Sequence, residues 1–160
     1  MNFQELYESY APDVYRFAFW LAGNRAEAED ITSETFIRAW VRSIRIRTET
    51  LNAYLFTIAR NVYLEQQRKR KREVTLEDVH PDPAPGPDKR VESRRELLRV
   101  QRVLQALPEI DRAAFIMRVQ HELPYTEIAR VLELSLTAVK VKVHRVRKKL
   151  LTNHAEREDF

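Results

Sequence analysis

Residues 125–150 read YTEIARVLELSLTAVKVKVHRVRKKL. The pattern predicts two helices joined by a tight turn. Ile128, Ala129 and Leu132 make one apolar stripe, and Ala138, Val139, Val143, Val146 and Leu150 make a second at helical spacing. Ser135 stands between them, placed to cap the second helix by accepting from the amides of its first turn. Away from its stripe, the second helix shows Lys140, Lys142, His144, Arg145, Arg147, Lys148 and Lys149, with no acid among them. An ordinary helical hairpin with a solvated face usually mixes signs. A scaffold helix, a turn and a one-signed basic helix is instead the arrangement of a helix-turn-helix that docks in a DNA major groove.

The rest of the chain narrows the function classes. Its 160 residues suffice for one domain or two small ones, and a charged fraction of 32% beside 44% hydrophobic residues is that of a globular chain. The net charge of +4 suits an anionic partner. The lack of cysteine excludes disulfides, thiolate zinc sites and cysteine nucleophiles, and fits a reducing, cytoplasmic setting. Gly23 and Gly86 are the only glycines, too few for a phosphate-cradling loop. His80, His121, His144 and His154 are scattered and form no nucleophile–base or metal spacing, so the chain is not expected to be an enzyme and implies no cofactor. No apolar run approaches a membrane span.

Charge comes in blocks. Residues 1–35 hold seven acids against Arg16 and Arg25, residues 68–72 (RKRKR) are all basic, and every charge from Glu73 to Asp88 is acidic. Several surfaces with different partners follow from such blocks. Phe3, Leu6, Tyr7, Tyr10, Val14, Phe17, Ala18 and Leu21 predict a first amphipathic helix, which Pro12 should kink or divide and Gly23 should stop. Asn24 and Glu27 form an approximate capping box for a second helix, with Ala28, Ile31, Thr35, Phe36, Ala39 and Trp40 as its buried stripe. Residues 43–50 read as a loop, with Thr50 as the next cap. Leu51, Tyr54, Leu55, Ile58, Ala59 and Val62 give a third helix its apolar face. Its other face carries Asn52, Arg60, Asn61, Tyr63, Gln66 and Gln67 and then the basic run. That face suits single-stranded nucleic acid, whose bases stack on aromatics while phosphates pair with bases of the protein. A solvated helix end, its cations complementing the helix dipole, is the other reading. Four prolines and a glycine within residues 81–87 exclude helix and mark a linker. Beyond it, Leu97 to Leu107 and Ile110 to Met117 predict two helices before the opening motif, and residues 152–160 a frayed tail. The fold expected is all-α: two small helical bundles, residues 1–73 and 91–155, joined by a flexible, proline-rich, acidic linker over 74–90.

The order of these parts resembles the extracytoplasmic-function (ECF) group of the sigma-70 family, bacterial RNA polymerase sigma factors. LYESYAPDVYRFA, AEDITSETFIRAW and AYLFTIARNVYLEQQRKR in the first half are similar to the family's region 2, and ALPEIDRAAF with TAVKVKVHRVRKKL in the second half to its region 4. The resemblance implies a transcription initiation factor that takes core RNA polymerase to promoters. A stand-alone helix-turn-helix regulator is the alternative. By resemblance, Asp30, Ser33, Glu34 and Phe36 contact core polymerase at the β′ clamp. Arg45, Arg47, Asn52, Tyr54, Arg60, Asn61, Tyr63, Arg68 and Lys69 melt and read the −10 strand, the loop before the third helix receiving a flipped base. Ser135, Thr137, Ala138, Lys140, Val141, Lys142, His144, Arg145, Arg147 and Lys148 bind the −35 duplex. The β flap, promoter DNA and an anti-sigma factor are further implied partners, with a cytoplasmic location. The chain departs from the family pattern in several places. Glu133 stands at a turn position usually held by glycine and Pro124 where serine usually caps. Ala138 and Val141 replace common hydroxyl residues, which shifts −35 binding towards phosphate contacts and DNA shape.

Overall fold

The computed structural model describes residues 2–42, 51–73 and 91–158, the side chains of the last segment from 93 to 152. Among these residues there are seven helices and no strand: α1 (Phe3–Ala22), α2 (Arg25–Val41), α3 (Leu51–Arg72), α4 (Val91–Gln105), α5 (Glu109–Val119), α6 (Tyr125–Leu132) and α7 (Leu136–Glu158). The chain divides into two compact units between Pro83 and Ala84, inside the segment read as a linker. The linker itself, the 43–50 loop and the Thr50 cap lie outside the described residues.

Unit 1 packs α1, α2 and α3 against one another. Asn2 caps α1 by accepting from the Glu5 amide at 2.8 Å, and Gly23 ends it in the left-handed region, donating to Phe19 O at 2.7 Å. Left-handed backbone is where glycine lacks the Cβ clash. Pro12 neither divides α1 nor ends it: one helix runs through it. Leu6 on one side of Pro12 and Val14, Phe17 and Leu21 on the other are all buried, and this burial outweighs the lost hydrogen bond. Phe17 stacks on Phe56 of α3 with ring centroids 4.6 Å apart. Asn24 caps α2, accepting from the Glu27 amide at 3.0 Å. The Glu27 carboxylate is buried and ion-paired with Arg70 in the basic run of α3. That pair ties the start of α2 to the end of α3.

Two expectations for this core fail. Trp40 is 43% exposed, packing edge-on against Phe3 at 5.6 Å. α3 is buried over a wider arc than one stripe: Ala53, Phe56 and Tyr63 join Leu55, Ile58, Ala59 and Val62 in the core. The reason is that α3 packs on both α1 and α2.

Unit 2 holds α4 to α7 around Leu104, Ala113, Ile116, Met117, Ile128, Val139, Val143 and Val146. One buried arginine serves as an internal cap and a second holds an ion pair. Arg112 donates to the carbonyls of Leu107 (3.0 Å) and Leu104 (3.3 Å) at the end of α4, and Arg99 pairs with Glu96 at 2.6 Å. The Arg112 contacts supply donors to carbonyls at a helix end, where intrahelical donors run out. The turn between α6 and α7 forms as expected. Glu133 is left-handed (φ 54°, ψ 46°), the Leu134 amide donates to Ala129 O at 3.0 Å, and Ser135 Oγ accepts from the Ala138 amide at 3.1 Å. Glu122, before α6, is a second left-handed glutamate (φ 55°). The tail expected to fray is instead helical to Glu158. Neither glycine nor proline occurs after Pro124 to stop it.

Candidate nucleic-acid and polymerase-docking surfaces

The opening motif builds one surface. Val139, Val143 and Val146 face the core of unit 2. Helical geometry then sends Thr137, Val141, His144 and Lys148, at i, i+4, i+7 and i+11, to the opposite side, and all four are exposed. Lys140 and Arg147 flank this line on one side and Arg145 and Lys149 on the other, all exposed. The exposed faces of Val141 and Leu136 are each 40% accessible, apolar surface of the kind that meets a thymine methyl. Ser135 is exposed beside the turn, and Ala138 is half-buried.

Lys142 departs from the expected phosphate grip. Its ammonium lies 2.8 Å from Asp111 Oδ1 of α5, both side chains largely covered. Lys142 follows the buried stripe closely enough to face the next helix, so its charge is used inside the unit. Arg145, Lys148 and Lys149, with Thr152, also rim a groove whose apolar floor is Val103, Ala106 and Leu107 at the α4 end.

A second surface runs along α3. Tyr54, Asn61 and Arg68 fall at i, i+7 and i+14 on one line, with Tyr54 half-buried and the other two exposed. Arg60 lies half-buried on the flank, and Lys69 is exposed in the basic run. Asn52 sits on the inward side of the helix start, its Oδ1 buried and without a hydrogen-bond partner. Tyr63 does not belong to this surface. It is 7% exposed and forms part of the core, because it follows Phe56 and Ala59 around the face that meets the other helices. Arg45 and Arg47 lie outside the described residues.

The third surface is the outer face of α2. Asp30, Ser33, Glu34 and Ile37 line a groove with Arg38 and, from α3, Val62, Glu65 and Gln66. Val41, 73% exposed, continues the same face one turn on. Phe36 cannot act here as expected: it is fully buried, with the Tyr7 ring edge-on at 5.1 Å. Ile37, 53% exposed, is the apolar residue of this face. Helical arithmetic alone could have found it, since Ile37 lies at i+3 and i+4 from Glu34 and Ser33, whereas Phe36 turns the other way. Arg38 stiffens the groove. It forms a paired contact with Glu65 (2.7 and 3.2 Å) and a third with Glu34 at 3.0 Å. Its hydrogen bonds raise the Arg38 pKa further above its ordinary value and hold the Glu65 carboxyl below the usual glutamate range.

Among the described residues, no cluster of His, Asp or Glu could hold a metal ion, and no helix is long and apolar enough to cross a membrane.

Comparison with known proteins matches residues 6–73 to the model of Sigma-70 region 2 and residues 97–150 to that of Sigma-70, region 4. The ECF RNA polymerase sigma factor SigE of Mycolicibacterium smegmatis is 34% identical over 93% of this chain and 60% of its own length. The chain thus spans about three-fifths of that relative. The ECF RNA polymerase sigma factor SigM of Bacillus subtilis is 30% identical over 94% of this chain and 93% of its own. Among solved structures, the sigma factor RpoE in complex with the anti-sigma factor NepR from Bartonella quintana superposes with a TM-score of 0.76, at 28% identity over 96% of each chain. With region 2 spanning the first unit, region 4 the second, and a full-length relative at this identity, the chain belongs to the sigma-70 family, in its ECF group.

Proposed function

We propose that the chain is a promoter-specificity subunit that binds core RNA polymerase and directs it to start transcription at particular promoters. The observation that carries this reading is the sorting of surfaces. A stand-alone DNA-binding regulator would need α7 alone. Here an acidic and apolar face on α2 and a polar and basic line on α3 share the first unit, whose described residues include no helix-turn-helix.

In this reading the face of Asp30, Ser33, Glu34 and Ile37 docks on the β′ clamp, its acids meeting cations of the polymerase. Tyr54, Asn61, Arg68 and Lys69 follow the opened −10 strand, with Arg60 on the flank. Aromatic stacking contributes roughly 1–3 kcal/mol per base, comparable to the few kcal/mol that unstacking a base costs. Arg45 and Arg47 belong to the loop that receives the flipped base, and Asn52 supplies an unused acceptor at the helix that follows it. The line of Thr137, Val141, His144 and Lys148 enters the −35 major groove, with Lys140, Arg145 and Arg147 on its phosphates. The apolar groove of Val103, Ala106 and Leu107 suits the β flap. An anti-sigma factor, as in the Bartonella quintana complex, is the regulatory partner.

Reconstitution tests this directly. The purified chain is mixed with sigma-free core polymerase and a promoter library, and run-off transcripts are sequenced. Transcripts starting downstream of one shared −10/−35 pattern are expected. A folded chain that yields no specific initiation overturns the reading.

A further inference from the structure

Two helices of unit 2 bring cations to one aromatic ring on a third. The Arg118 guanidinium, from the last turn of α5, lies 4.3 Å from the centroid of Tyr125. The Lys140 ammonium, from the second turn of α7, lies 5.8 Å from the same centroid. Tyr125 is itself the first residue of α6. A phenol ring attracts a cation to its face through its quadrupole.

We propose that Tyr125 gathers Arg118 and Lys140 into a phosphate clamp beside the recognition face, making Arg118 a DNA contact outside the helix-turn-helix. This rests on the reading that α7 binds the −35 duplex. Two like charges held on one ring repel each other, and an anion between them removes that cost. Neither cation is paired with a carboxylate among the described residues. Lys142, two residues from Lys140, shows the contrast: it has Asp111 and is largely covered. Lys140 lies on the flank of the exposed line of Thr137, Val141, His144 and Lys148, on the side nearest α6. A DNA backbone that borders a groove filled by that line passes this flank. Arg118 also donates to the Leu123 carbonyl at 3.2 Å, which fixes one edge of its guanidinium and leaves other N–H groups for a phosphate. Tyr125 is then a positioning residue, and it contributes no sequence preference of its own.

The test is the salt dependence of holoenzyme binding to −35 duplex. Each lost phosphate contact lowers the slope of log K against log salt by about 0.9 for B-DNA. Arg118→Gln is expected to lower the slope by about that amount, and to weaken binding to every −35 variant by a similar factor. Tyr125→Phe should leave the slope in place. Tyr125→Leu should reduce binding several-fold, and adding Arg118→Gln to it should cost less than Arg118→Gln alone. Arg147→Gln and Lys148→Gln serve as reference arms. If they lower the slope while folded Arg118→Gln does not, the clamp is wrong and the −35 reading stands. If none of the variants changes it, the −35 reading itself falls. Should Arg118→Gln unfold, Tyr125→Leu leaves the Leu123 hydrogen bond intact, and wild-type affinity and slope in that variant overturn the clamp.

Discussion

Lys142 of α7 reaches back to Asp111 of α5, its ammonium 2.8 Å from the carboxylate. In the sequence it is one of a run of cations without an acid near it, distinguished from Lys148 only by lying closer to the apolar stripe of α7. Its partner stands thirty-one residues upstream. A cation with an intramolecular partner stabilises the unit. A cation without one is available to phosphate.

Lys142→Met is therefore expected to lower the stability of the protein by about 1 kcal/mol, as a partly covered ion pair would. The salt slope for −35 DNA should stay near wild type. Lys148→Gln should do the reverse, leaving stability within about 0.5 kcal/mol and lowering the slope by about 0.9. Thermal unfolding and salt-dependent DNA binding on the same preparations separate the two.

The outer face of α2 makes a second separation. Phe36→Ala removes a fully buried ring and should cost about 3–5 kcal/mol, with loss of polymerase binding as a consequence of unfolding. Ile37→Ser removes an exposed side chain and should leave stability within about 0.5 kcal/mol. Its affinity for core polymerase should nevertheless fall about tenfold or more, as for an interface residue near the centre of its patch. Equilibrium unfolding and titration of core polymerase read these outcomes.

Arg38 and Glu65 predict a pH dependence. The folded-state pKa of Glu65 is lowered, chiefly by its hydrogen bonds from Arg38. Its stabilisation is therefore complete above the ordinary glutamate value of about 4.3 and fades as the pH falls through the lower folded-state value. Because the pair is half-exposed, Glu65→Gln should cost about 0.5–1 kcal/mol at neutral pH. The gap between mutant and wild type should close under acid, which denaturant melts at pH 7 and below pH 4 would show.

Glu133 is left-handed in the turn before α7. A residue with a Cβ is disfavoured there by roughly 1–2 kcal/mol, partly offset in glycine by its freer unfolded chain. Glu133→Gly should accordingly raise stability by about 0.5–1 kcal/mol, a few degrees in the melting temperature of a unit this small. A decrease on thermal unfolding would show that the glutamate makes a compensating contact.

Most of the fold was legible in the sequence because its signals are local. Apolar residues at helical spacing gave the helices, Asn24, Ser135 and Gly23 gave three of their ends, and the proline-rich segment separated the halves. The helix-turn-helix was legible for the same reason: its turn geometry at Glu133 and its cap at Ser135 involve neighbours only three to five residues apart. Apart from the tail, whose helix simply meets no stop signal, most departures are cases in which packing between elements chose the outcome. Pro12 stays inside a helix because burial on both sides holds it. Tyr63 is core because α3 meets two helices, whereas the burial of Phe36 agrees with the apolar stripe of α2 and goes against only the docking role that the resemblance implied.

By itself, then, the sequence determined the order of the described helices, the two units and the basic character of α7, since backbone preference, capping and amphipathic period act over a few residues. How far each buried face extends, and which cations find a partner inside the unit, was decided only by the tertiary structure. A side chain's solvation depends on what packs against it, and that neighbour comes from another helix: Asp111 for Lys142, Glu65 for Arg38, and Tyr125 for both Arg118 and Lys140.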